Sequence, residues 1–138
     1  MVIGIAVLAS NALAAAWGGA AWARRDPSTV FWYLLRAAQA TVVAEAVVGS
    51  VLLIQGRGVD DPLHYVYGIA PLVISLVSEG ARIGAAQAEL AGTPEPRTLE
   101  RREQVLLARR IVLREIGVMT IGTLLIVTLS LRAMTTGG

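Results

Sequence analysis

The sequence predicts an all-α, polytopic membrane protein: an antiparallel bundle of four transmembrane helices, with a cytoplasmic helical extension before the fourth. Two observations carry this. Of 138 residues, 55% are hydrophobic and only 16% charged, with a mean hydropathy of +0.64, whereas a soluble domain of this size carries about 25% charge. The apolar residues also fall into four blocks, each near the ~20 residues that span a bilayer core as a helix.

The first block, residues 2–23, is uncharged and ends at Arg24-Arg25-Asp26-Pro27. No basic residue precedes it and two arginines follow it, a pattern that suits an uncleaved helix with its N-terminus outside. The second, 29–55, carries Arg36, Gln39 and Glu45. The third, 62–84, opens with "DPLHYVYG", where Asp60 or Asp61 can cap and Pro62 suits a first turn; its helix is expected to run past the membrane to Leu90, and Pro71 predicts a kink. An Arg-rich segment, 91–110, follows the break "AGTPEP". Thr98 is its expected N-cap, with Glu100 and Glu103 in the first turn, and it continues into the fourth span, 111–133. The whole chain, 1–138, reads as one domain.

All twelve basic residues are arginines, giving a net charge of +2 and a pI near 9.7. They crowd the first and third loops, while the second loop holds only Arg57. The positive-inside rule then places those loops in the cytoplasm and both termini outside a cytoplasmic membrane. Arginines at helix ends point to anionic lipid headgroups as partners, and not to nucleic acid. Zero cysteines exclude disulfides, thiolate metal sites and a cysteine nucleophile. No phosphate-binding glycine loop, H-E-x-x-H, G-x-S-x-G or kinase pattern is present, so no enzyme and no cofactor is expected.

Charge inside hydrocarbon costs about 2.5–3.5 kcal/mol on insertion scales, so each intramembrane ionisable residue needs a partner. Counting from the loops places Arg36, Glu79, Arg82, Arg114 and Glu115 in one layer near the cytoplasmic face, where ion pairs would lock helices two, three and four. A second layer, near the midplane, gathers Glu45 and Asn11, with Thr41, Ser75 and Thr123 within range. Ala37, Thr41, Glu45 and Gly49 follow at i+4, a small-residue stripe on which Glu45 is expected to face protein. Desolvated there, its carboxyl is expected to be neutral and clasped to Asn11.

His64, the only histidine, shares a helix face with Gly68, Pro71, Ser75, Glu79 and Arg82, so it is expected to point inward near the outer surface. Tyr65 and Tyr67 suit the interfacial aromatic belt. One histidine is too few for an ordinary metal or haem site.

"FWYLLRAAQ" (Phe31–Gln39), "DPLHYVYGIAPLVISLVSEGARIGAAQ" (Asp61–Gln87), "REIGVM" (Arg114–Met119) and "LSLRAMTTG" (Leu129–Gly137) together resemble an uncharacterised family of small four-span integral membrane proteins from high-GC, actinobacterial-type bacteria. The resemblance implies an uncleaved four-helix protein of the cytoplasmic membrane and no particular chemistry. The expected role is a small membrane subunit or scaffold, homo-oligomeric or part of a larger membrane complex. The small-residue rows of the first helix (Ala14, Gly18, Trp22; Ala12, Ala16, Ala20) favour such assembly. The rivals are a proton-coupled carrier with Glu45 as titrating group, and a haem or quinone site at His64 with Tyr65 or Tyr67.

Overall fold

The computed structural model describes residues 2–136. Four helices follow one another: α1 Val2–Arg24, α2 Thr29–Ile54, α3 Pro62–Ala91 and α4 Arg101–Thr136, with one 3₁₀ turn at Pro96–Thr98. All four are long and apolar enough to cross a membrane. Their lipid-type surface is plain in the exposures: Leu76 is 65% exposed, Val77 64% and Val66 58%. A soluble monomer does not expose so much apolar surface. The chain is an all-α four-helix bundle, and its composition is that of a multi-pass membrane protein.

Each helix starts and stops for local reasons. Ser28 caps α2, its hydroxyl accepting from the Phe31 N–H at 3.3 Å and from Trp17 Nε1 at 2.9 Å. Asp61, not Asp60, caps α3, with Oδ1 accepting from the Leu63 N–H and Pro62 in the first turn. α1 and α2 end in the same motif. The sixth residue's N–H reaches back over a left-handed residue, from Asp26 to the Ala21 carbonyl and from Arg57 to the Leu52 carbonyl. The left-handed residue is Gly56 (φ 71°) in α2 but Arg25 (φ 53°) in α1. α3 runs through Pro71, whose ring is buried, and on to Ala91.

The start of α4 departs from the sequence reading. Thr98 is not its cap; its hydroxyl donates to the Glu95 carbonyl inside the 3₁₀ turn that Pro96 opens. The helix begins two residues later, where the Glu103 carboxylate accepts from the Glu100 N–H. Thr98 lies inside that turn, and Leu99, extended at φ −67° and ψ 147°, separates it from the helix that starts at Arg101.

On three helices one row of buried positions follows alternating three- and four-residue steps: Val7, Asn11, Ala14, Gly18 and Ala21 on α1; Phe31, Leu35, Ala38 and Val42 on α2; and Ile116, Met119, Thr123 and Ile126 on α4, where Gly117, Thr120 and Gly122 beside it are buried too. This is the seam of left-handed bundle packing. It fills two apolar clusters. Ala21, Phe31, Leu35, Ile116 and Met119 lie toward the arginine-rich end, and Val7, Val42 and Ile126 toward the chain termini. α4 is the hub, packed against α1 and α3, and of the four adjacent helix pairs α2 and α3 are in least contact. Between the two clusters the side chains turn polar.

Candidate functional site

The polar groups of the bundle form two adjoining layers. In the one nearer the arginine-rich end, Glu79 of α3 is the centre. Its Oε1 accepts from Arg36 Nη1 at 2.7 Å and from Gln39 Nε2 at 2.7 Å, both from α2. Its Oε2 accepts from Arg82 Nε at 2.8 Å, one turn along the same helix. Arg82 then reaches α4, donating from Nη1 to Glu115 Oε1 at 3.0 Å, and its guanidinium lies 5.7 Å from the Trp32 ring centroid. One connected set of charges thus joins α2, α3 and α4.

Arg114 belongs elsewhere. It pairs with Glu89 at 2.6 Å, beyond the layer toward the arginine-rich end. Adjacent helical residues point about 100° apart, and side chains lean toward their own helix N-terminus. Glu115 therefore faces Arg82, while Arg114 leans outward along α4 and finds the next acid on α3. Depth counting put Arg114 at the right level but ignored its direction. Gln39, Glu89 and Trp32 were missed as partners. The three-residue step from Arg36 to Gln39 on one face was the available signal for the first; nothing local announces the other two.

The second layer lies between the apolar clusters. Asn11 is 1% exposed and donates from Nδ2 to its own helix, at the Val7 carbonyl, 2.9 Å. Ser10 and Thr41 share a 2.9 Å hydrogen bond from α1 to α2. Thr123 donates to the Thr120 carbonyl at 2.8 Å. Asn11, Gln39, Ser75, Ser78 and Thr123 line a cavity of about 10 Å³, room for roughly one water molecule.

Glu45 is not part of this layer, and the expected clasp to Asn11 does not form. The α1–α2 register shows why: Ser10 bonds Thr41, Val7 packs with Val42, and Glu45 Oε1 lies beside Gly4. Asn11 is thus level with Ala38 and Gln39, about six residues, or roughly 9 Å, from Glu45. Measuring both depths from the helix ends assumed flush ends, and α2 extends beyond α1. Glu45 is half-buried and, among the described residues, its carboxyl has no hydrogen-bond partner. The stripe around it is partly outward, with Ala37 and Gly49 exposed. A row at i+4 drifts about 40° per step, whereas the buried row alternates three and four.

His64 is exposed, standing in the first turn of α3 on the face that carries Gly68, Pro71 and Ser75, and it lies within electrostatic range of Glu45 on α2. Its ring meets Tyr65 edge-on at 6.0 Å. Both tyrosine hydroxyls are engaged: Tyr65 accepts from the Val59 N–H at 3.0 Å, holding the α2–α3 loop, and Tyr67 accepts from Arg132 Nε at 3.3 Å, tying α3 to α4. Among the described residues no group of three metal-type side chains gathers anywhere. Comparison with protein-family models, with curated proteins and with solved structures gives no match for this chain.

Proposed function

We propose that the chain is a small scaffold or subunit of the cytoplasmic membrane, assembled as a homo-oligomer or within a larger membrane complex, with no catalytic role and both termini extracytoplasmic. The observation that carries this reading is the interior. Its cavity, at about 10 Å³ and lined by both polar and apolar side chains, has room for a water molecule and none for a transported solute. The charged layer beside it is spent on joining helices. The unused surface supports assembly: Ala12, Ala16 and Ala20 form an exposed row on α1, of the kind that lets helices of neighbouring subunits approach closely.

Purification in mild detergent with chemical cross-linking is the direct test. The expected result is a defined oligomer or a co-purifying membrane protein. A monodisperse monomer without partners overturns the reading. The orientation is tested by cysteines at Asp60 and Ala91, both exposed, labelled on intact cells with an impermeant thiol reagent. Asp60→Cys reacts and Ala91→Cys does not; the reverse pattern inverts the topology. Gly58 is a poor labelling position, since a Cβ there meets the Tyr65 hydroxyl at 2.7 Å.

One observation favours the carrier as second reading: the carboxyl of Glu45, without a hydrogen-bond partner among the described residues, lies within electrostatic range of His64. Glu45→Gln separates the two. A scaffold keeps its stability and phenotype, whereas a carrier folds normally and loses pH-dependent transport.

A further inference from the structure

The arginines fall into two sets. Arg36, Arg82 and Arg114 each hold a carboxylate. Among the described residues the other nine hold none. Two of these, Arg25 and Arg109, meet, with Arg24 and Asp26 next to Arg25 in sequence. Arg109 Nη2 of α4 donates to the Arg25 carbonyl at 2.7 Å, across 84 positions of chain. The contact holds a guanidinium against the turn that carries Arg24 and Arg25, all three exposed. The Arg109 guanidinium is thus fixed on the backbone of a turn that itself carries two arginines, and it has no acid partner. Arg25 accepts this bond in a left-handed conformation (φ 53°) that a non-glycine residue adopts at a cost.

The place is one end of a candidate membrane span. It caps the uncharged span of α1, and Trp22, three residues before Arg25, is 48% exposed. Trp17, 49% exposed, is anchored by its indole N–H to Ser28 of the same turn. Tryptophan at this depth marks the boundary between acyl chain and headgroup. Guanidinium forks match phosphate oxygens.

We propose that Arg24, Arg25 and Arg109 form a binding site for the phosphate of an anionic phospholipid, with Trp22 and Trp17 against its glycerol and upper acyl chains. The site rests on the reading of this end of the bundle as lying at a bilayer surface. It does not need the scaffold role: a partner-free monomer that still holds the lipid removes that role and leaves the site.

The test is native mass spectrometry of the full-length protein, released from nanodiscs of mixed dioleoylphosphatidylglycerol and dioleoylphosphatidylcholine. The wild type retains phosphatidylglycerol selectively. Each arginine removed weakens retention about 5-fold, and Arg25→Gly with Arg109→Gln together about 30-fold. Arg101→Gln with Arg102→Gln removes equal charge two turns away on α4 and leaves retention unchanged. Arg25→Gly alone suits the left-handed backbone, so a loss there does not come from unfolding. Equal losses in the two double variants, or equal retention of both lipids by the wild type, overturn the site. Displacement of the lipid by excess inorganic phosphate assigns the site to free phosphate and overturns the lipid as its ligand.

Discussion

Where α1 crosses α4 the backbones nearly touch; where α2 faces α3 they stand apart and charge spans the gap. On the first side, a Cβ on Gly18 would collide with the Thr120 hydroxyl and the Phe31 ring, and one on Gly117 would meet Trp22 Cε2 at 2.9 Å. α4 treats α3 the same way, with Ser78 Cβ 2.9 Å from where a Gly122 side chain would start. On the second side, Arg36 and Gln39 reach across to Glu79. Helices in lipid gain little from hiding apolar surface from one another, so they join by close packing or by polar bonds. This bundle packs α4 closely against both of its neighbours and joins α2 to α3 by polar bonds.

The largest effect is expected where the backbones are closest. Gly18→Ala has no room: both colliding groups sit within the buried seam, and overpacking there costs about 3 kcal/mol. Gly84→Ala on α3 meets nothing within 4 Å and is expected to stabilise by roughly 0.5–1 kcal/mol, the helix preference of alanine over glycine. Thermal midpoints by far-UV circular dichroism in one detergent compare the two. Shifts of the same sign and size would mean that close approach is not what holds α1 to α4.

The charged side breaks at Glu79. Glu79→Gln leaves Arg36 without a carboxylate and Arg82 with Glu115 alone. A fully buried pair broken this way costs about 3–5 kcal/mol, but the Arg36 side chain is 56% exposed and can turn toward water. About 1–2 kcal/mol is therefore expected. The double variant with Arg36→Gln is less harmful than the sum of the singles. With Arg114→Gln, whose partner is Glu89, the effects add to within about 0.5 kcal/mol. Coupling to Arg114 instead of Arg36 would contradict the geometry of this layer.

The packed side has one flaw to probe. The Thr120 hydroxyl is buried against Gly18 with no hydrogen-bond partner. Thr120→Val keeps the shape and removes the desolvated oxygen, so a gain of about 1 kcal/mol is expected. A loss of stability would show that the hydroxyl bonds something at the cavity, which Thr123 and Ser78 line nearby.

These contrasts also separate what the sequence made legible from what it did not. The spans follow from apolar length, which is a property of each segment alone. Arg36, Glu79, Arg82 and Glu115 could be grouped because a charge in hydrocarbon demands a partner and few were available. The Asn11–Glu45 pairing failed because it depended on the stagger between two helices, set by how Gly4, Gly18 and Phe31 fit together and not by where the helices end. Arg114 was misplaced for a related reason: level along an axis says nothing of direction around it. The Arg25–Arg109 contact was illegible altogether, since no rule of pairing sends one arginine to another's carbonyl.

The smallest effect concerns the turns that join the two sides. α1 and α2 end in the same motif, one with Arg25 and the other with Gly56 in the left-handed position. Backbone sterics alone favour glycine at both. Gly56→Ala, with nothing within 4 Å to obstruct its side chain, is expected to cost about 1 kcal/mol through the backbone only. Arg25→Gly is the mirror experiment. It relieves the strained φ but frees the unfolded chain, a net gain of roughly 0.5 kcal/mol, while the Arg109 bond to the residue's carbonyl is untouched. Midpoints measured in a zwitterionic detergent keep anionic lipid out of the comparison. A gain there means that arginine is held at this turn for something other than folding. A loss would mean that its side chain stabilises the α1 end directly, and the mismatch between the two turns would then be structural.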